Sequence, residues 1–269
     1  MAPLNLIMKE KVIFLTGPSA TGKTEIAFYL AKKIRGEIIS CDSMQVYKGM
    51  EIISSQPPII FKKQIPHYLT GMLSSAKEYN VSEYRRDALK RIEEIIAKSK
   101  TPIFVGGSGF YMTIVVDGIF KAKPESPQAR EKFYKEARQL GNEHLYNRLK
   151  EVDPQAASKI HINDIKRIVR ALEVYETTGK PISLLQKQRK GITDKYEVKI
   201  FCLNMERNKI NKRIEKRIDQ MLESGLIDEV KQLLKLKLSR TAGFAIGIRE
   251  LKGYLNGEYD LEEAKYRMV

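Results

Sequence analysis

Tryptophan is absent from this 269-residue chain, cysteine occurs twice and histidine three times. Cys41 and Cys202 have no metal-ligand spacing and no cysteine or histidine beside them. That excludes a disulfide framework and predicts two buried thiols in a reducing compartment. No run approaches the roughly 18 apolar residues of a membrane span. Residues 1–10 lack the basic and apolar regions of a signal peptide, so a cytoplasmic protein with no membrane partner is expected. There is no internal repeat and no low-complexity tract. The 13 tyrosines are scattered, without the aromatic pattern of an RNA-recognition motif.

What the chain has in excess is positive charge, +15 in all. A field of that sign concentrates polyanions: nucleic acid, nucleotides or acidic lipid. Lysine-rich composition alone would give a uniform drift. Instead, residues 161–217 hold fifteen Lys or Arg against seven Asp or Glu, over half the excess in about a fifth of the chain. A polyanion-binding surface is the better account.

Short β-branched runs alternate with helical patterns over the first hundred residues, the mark of βαβ units and a parallel sheet. Residues 11–16 read as a strand. Residues 23–34 read as a helix with Ile26, Ala27, Leu30, Ala31 and Ile34 on one face and Gly36 as its stop. A second strand is expected at 37–40. Pro57, Pro58 and Pro66 break up residues 42–79 into an irregular insert. Ser82 reads as the N-cap of a helix reaching Ala97, and 102–105 as a short buried strand.

Strands then nearly vanish. Residues 121–190 read as helical, punctuated by Pro124, Pro127, Pro154 and Pro181. A strand returns at 198–203, and two amphipathic helices over 208–236 hinge near Gly225. The expected fold class is therefore α/β: a P-loop parallel-sheet core with helices on both faces, residues 1–120 plus 196–269, and an inserted α-helical domain, residues 121–195.

Residues 17–24, GPSATGKT, match the phosphate-binding loop G-x-x-x-x-G-K-[ST] directly after a strand and at the opening of a helix. Backbone N–H groups there cradle phosphate, Lys23 adds a cation, and Thr24 can hold Mg²⁺. An NTPase adds an acid at the end of a neighbouring strand. Here that strand ends in Gly106-Gly107-Ser108, and the acid at hand is Asp42, past the second strand. Both positions fall on the carboxyl edge of a parallel sheet, where ligands bind.

IISCDSMQVYKGM at 38–50, VGGSGFY at 105–111, HINDIKRIVRALEVY at 161–175, and Asp219-Gln220-Met221-Leu222 followed by Gly225-Leu226 together resemble, in order, the tRNA dimethylallyltransferases. The resemblance implies transfer of a dimethylallyl group from its diphosphate to the exocyclic amine of an adenosine beside the anticodon. It implies that Gly17, Ser19, Ala20, Thr21, Gly22, Lys23 and Thr24, with Arg217, hold the diphosphate, aided by Mg²⁺ at Thr24. Asp42 is then the general base, and Ser108, at a site usually held by threonine, donates to the departing oxygen. Ser43, Met44 and Gln45 line the base pocket with Asp42 and Ser108. Arg130 and the strip Lys166, Arg167, Ile168, Val169 and Arg170 contact tRNA. The partners implied are the tRNA anticodon stem-loop and dimethylallyl diphosphate, acted on by a monomer.

The chain departs from the family pattern at Met44, where a basic residue is usual, and at Ile53-Ser54-Ser55-Gln56-Pro57, which replaces a glycine and a Thr-Ala-Lys-Pro turn. His67-Tyr68 stands for a histidine pair, and His67 is expected to be structural. Family members usually continue past Met268-Val269 into a basic, aromatic tail, which the absence of tryptophan matches; weaker tRNA binding with an intact core is the expectation. Lys209, Lys212, Arg213 and Lys216 fit a solvated helix face as well as RNA contact. From the residues alone, a small-molecule kinase of the phosphate-loop class and a non-catalytic RNA-binding module remain as alternatives.

Overall fold

The computed structural model describes residues 9–120 and 126–269. The first eight residues, Pro124 and the expected helical start at Lys121 lie outside the described residues. The chain forms two compact units: one reaches Val116 and resumes over Ile192–Val269, and the other is Asp117–Gly191.

The first unit is built on a wholly parallel five-stranded sheet. Its strands are β1 (Lys11–Thr16), β2 (Gly36–Ser40), β3 (His67–Tyr68), β4 (Thr101–Val105) and β5 (Glu197–Cys202), in the order β3-β2-β4-β1-β5. Helices cover both faces. Helix α1 (Lys23–Ile34) closes over β1, β2 and β4 through Ala27, Phe28 and Ala31, which pack with Leu15, Ile38, Ile65 and Ile103. The short α2 (Ile59–Gln64) adds Phe61, stacked on Phe28 with ring centroids 4.0 Å apart. Helix α3 (Val81–Ile96) packs on β2 and β4, and α4 (Gly109–Val116) packs on α3.

Three expectations about secondary structure need correction. Helix α1 stops at Arg35, itself left-handed at φ 55, while Gly36 is already strand, paired with Thr101. Helix α3 is capped by Asn80, whose side chain accepts from Ser82 and Glu83 while Glu83 reaches back to the Asn80 N–H. This closed capping box outcompetes Ser82, which lies inside the first turn. Finally, the stretch 42–79 is not wholly irregular. It contains α2 and β3, and β3 extends the sheet by pairing His67 with Ile38 and Tyr68 with Ile39.

The second unit is helical: α5 (Pro127–Leu140), α6 (Asn142–Val152), α7 (Pro154–Ala157), α8 (Ile165–Thr178) and α9 (Ile182–Gln186). Phe133, Leu145, Leu149, Ile168, Val169, Leu172 and Leu185 are among the residues that form its own core. Pro127 and Pro154 sit in first turns, where the missing N–H costs nothing.

After β5 come α10 (Arg207–Glu223) and α11 (Leu226–Leu234), separated at Gly225, which has φ 97, as the hinge expectation had it. The chain continues through α12 (Arg240–Gly243), α13 (Ile248–Leu255) and α14 (Leu261–Met268). Cys41 is buried, but Cys202 is exposed. It ends an edge strand whose residues from Lys199 onward are exposed on both faces, so only one thiol is a core residue. No helix among the described residues is long and apolar enough to cross a membrane.

Candidate functional site

A cavity of about 1000 Å³ opens at the carboxyl edge of the sheet in the first unit. Its wall includes Ser19, Ala20, Thr21, Gly22, Lys23 and Thr24 of the loop between β1 and α1, together with Asp42 after β2 and Gly106 and Gly107 after β4. From α10 come Arg213, Lys216, Arg217 and Gln220.

The loop is shaped for an anion. Gly22, at φ 87, caps α1 without any side-chain acceptor for the first N–H groups. Those donors and the positive end of the helix dipole are left for a ligand. Gly17 stands behind the wall, at φ 141, where a side chain would run into the Leu203 carbonyl. Lys23 Nζ donates to the carbonyl oxygens of Gly17 at 2.9 Å and Pro18 at 2.6 Å. Burial pushes the Lys23 ammonium below its ordinary value; Arg217 lowers it further while Asp42 supports it. Burial likewise lowers Arg217, against the support of Asp42 and Glu25. Lys23, Arg213, Lys216 and Arg217 thus share the cavity with Glu25, Asp42 and Glu51, four cations to three carboxylates, and that excess of positive charge suits a polyanion.

The ends of β2 and β4 are bolted together. Cys41 N–H donates to Val105 O at 2.8 Å, and Ser108 N–H donates to Cys41 O at 3.1 Å. Gly106 passes so close to the Cys41 carbonyl that a Cβ there would overlap it, so the approach demands glycine. Ser108 Oγ then accepts the Ser43 N–H at 3.2 Å, and Asp42 Oδ1 accepts the Met44 N–H at 2.9 Å. Asp42, on the cavity wall, and Ser108, which is not among its lining residues, are thereby fixed on adjoining strand ends.

Other expected residues take quieter parts. Ser43 and Met44 contribute backbone N–H groups to the Asp42 and Ser108 turn. Gln45 is on the wall, but its amide is engaged: Oε1 accepts from Ser40 Oγ at 2.9 Å, and Nε2 donates to Ser55 O at 3.1 Å. His67 lines the cavity too. Its Nδ1 meets Ile65 O at 2.8 Å, and since a carbonyl only accepts, Nδ1 carries a proton, while the enclosed Nε2 has no partner among the described residues. Burial pushes this ring towards neutrality.

In the second unit the expected tRNA strip divides. Ile168 and Val169 are core side chains, so they are unable to touch RNA. Arg130 Nε and Arg170 Nη1 both bind Glu173 Oε2, at 2.9 and 2.7 Å, and Ser126 N–H binds Oε1 at 2.8 Å. Burial would raise the Glu173 carboxyl, but these bonds outweigh it and hold it below the usual range. Arg130 and Arg170 thus neutralise a buried carboxylate. Lys166 and Arg167 are the exposed members of the strip. The signal for this division was the α8 period: positions 168, 169 and 172 share the apolar face.

Sequence reasoning missed Arg213 as a wall residue. Its Nη1 donates to Ala20 O at 3.2 Å, placing α10 against the phosphate loop. Arg213 and Arg217 are four residues apart, on one helix face, which was the available clue.

Fold and cavity together define an α/β protein of the phosphate-loop class, in which the loop and Asp42 line one cavity. The IPP transferase family model matches residues 45–269. A Halothermothrix orenii protein named tRNA dimethylallyltransferase is 43% identical over 94% of this chain and 78% of its own length. An Acetivibrio thermocellus protein of the same name is 41% identical over 95% and 82%. Among solved structures, the tRNA isopentenylpyrophosphate transferase of Bacillus halodurans is 34% identical over 97% of this chain and 82% of its own, with a TM-score of 0.66. A eukaryotic dimethylallyltransferase acting on tRNA is 31% identical over 96% and 66%, with a TM-score of 0.81. The chain belongs to the IPP transferase family.

Proposed function

We propose that this protein transfers a dimethylallyl group from dimethylallyl diphosphate to the exocyclic N6 amine of the adenosine adjacent to the anticodon in tRNA, releasing diphosphate. The observation behind this reading is that Asp42 shares one cavity with residues 19–24 of the phosphate loop, Lys23 among them, and with Arg217. Relatives and solved neighbours with names of this activity support it.

In the reaction the allylic C–O bond breaks, its electrons leaving on the diphosphate, while the N6 lone pair forms the new C–N bond. An aryl amine is a poor nucleophile, and Asp42 takes its proton as attack proceeds, an assistance of about 10²–10⁴-fold for a positioned base. Loop N–H groups, Lys23 and Arg217 stabilise the charge gathering on the leaving group. Ser108 uses its oxygen to accept from Ser43, which leaves its O–H free to donate to the departing oxygen.

Mg²⁺ fits these residues. It is commonly held by one or two protein oxygens with substrate phosphates and water, and Thr24 stands on the wall. No group of three His, Cys, Asp or Glu among the described residues would hold a metal independently of phosphate. When bound, the ion would neutralise diphosphate charge.

The target adenine must leave its stack, at a cost of a few kcal/mol that is smallest in a single-stranded loop. Lys166 and Arg167 supply phosphate contacts that position the RNA without reading it. A tRNA substrate is in keeping with a cytoplasmic site of action.

Incubation with unmodified tRNA and radiolabelled dimethylallyl diphosphate tests the reading. Label in tRNA supports it; phosphoryl transfer from labelled ATP to a small acceptor, with none to tRNA from the allyl donor, would overturn it.

A further inference from the structure

The turn 51–55 has an unusual support. Within it Ser55 N–H donates to Ile52 O at 2.9 Å and Gln56 N–H to Glu51 O at 2.9 Å, as in one turn of helix. The N–H groups of Ile52 and Ile53 open that turn, and a helical start leaves such donors without intrahelical partners. They are taken by a side chain from 176 or more residues away: Glu229 on α11 accepts Ile52 N–H on one oxygen at 2.9 Å and Ile53 N–H on the other at 2.8 Å. Glu229 is a cap supplied from a distant part of the same chain.

Ser55 ends the turn in a left-handed conformation, φ 47, and lines the cavity. Its Oγ accepts Arg217 Nε at 2.8 Å. Gln45 Nε2 holds the Ser55 carbonyl from the other side. A guanidinium has five N–H donors in a rigid plane. Fixing Nε fixes that plane, and the four Nη donors of this cavity-wall residue stay available to a ligand. Without a second anchor, a long arginine side chain samples many rotamers, and ordering it on binding costs affinity.

The geometry points to Ser55 and Glu229 as positioning residues for the diphosphate site: Glu229 holds the turn, the turn presents the Ser55 hydroxyl, and that hydroxyl sets the plane of Arg217. This rests on Arg217 being a diphosphate ligand, as the proposed function has it.

The test is calorimetric titration with inorganic diphosphate of the full chain and of S55A, E229Q, R217A, S55A/R217A and E229Q/R217A. S55A and E229Q are each expected to weaken binding about tenfold, the worth of a hydrogen bond to a charged group. In the R217A background neither should weaken it further, because the device acts only through Arg217. Wild-type affinity in S55A, or the same loss with and without Arg217, overturns the inference. The S55A arm decides even where E229Q fails to fold. Absence of diphosphate binding by the wild type overturns it as well. Binding of diphosphate without transfer of the allyl group to tRNA would instead remove the proposed reaction and leave the positioning device standing.

Discussion

Ser108 Oγ accepts the backbone N–H of Ser43 at 3.2 Å, a bond that joins the chain leaving β4 to the chain leaving β2. A hydroxyl used as acceptor keeps its hydrogen to give. Replacing Ser108 with alanine removes both functions at once. The loss expected in kcat is about 10²-fold, near that of one oxyanion donor, while Ser108→Thr, which keeps the hydroxyl, should retain most activity. Equal kcat in Ser108→Ala and wild type would take Ser108 out of the reaction.

Asp42 spends one oxygen on the Met44 N–H. Asparagine can keep that bond but is unable to accept a proton. Asp42→Asn should therefore lower kcat by about 10²–10⁴-fold while tRNA binding, followed by filter retention, stays within a factor of about two. Activity unchanged in Asp42→Asn would exclude it as the base.

Much of this site was legible because its parts are short-range. The phosphate loop is set by eight consecutive residues between a strand and a helix, and β1 and α1 have the bounds the hydrophobic pattern predicts. What was not legible depends on distant partners. Whether Arg130 faces RNA or a carboxylate is decided by Glu173, 43 residues further along the chain, whereas for Arg170 the same carboxylate is an i,i+3 neighbour and was open to a local reading. The cap on Ile52 and Ile53 is likewise supplied by Glu229, far along the chain. β3, only two residues long, exists through pairing with β2 and has no periodicity to read.

The Glu173 cluster makes a prediction that separates structure from recognition. A buried charge stripped of its partners costs about 3–5 kcal/mol, and here two arginines share the carboxylate. Arg130→Ala with Arg170→Ala should lower the melting temperature by many degrees, each single change doing less. Lys166→Ala with Arg167→Ala should leave it nearly unchanged and reduce the salt dependence of tRNA binding. An Arg130/Arg170 double variant as stable as wild type would refute the structural assignment.

A second buried carboxylate sets a pH dependence. Glu37 lies at the start of β2 and accepts from Lys100 at 2.6 Å, Tyr68 at 2.7 Å and Lys98 at 3.1 Å. Burial pushes its carboxyl up, but those hydrogen bonds and the Lys100 charge pull it further down, to a net position below the ordinary 4.5. Between the folded and ordinary values the unfolded chain binds the extra proton, so stability rises with pH there. The contribution is complete above about 4.5 and disappears as pH falls through the folded value. Glu37→Gln removes the titration. The gap in melting temperature between wild type and Glu37→Gln should therefore be wide at pH 7 and narrow progressively below about pH 4.5. A gap that stays constant to pH 3 would show that Glu37 contributes through shape and hydrogen bonding alone, and that its charge is not held by the two lysines.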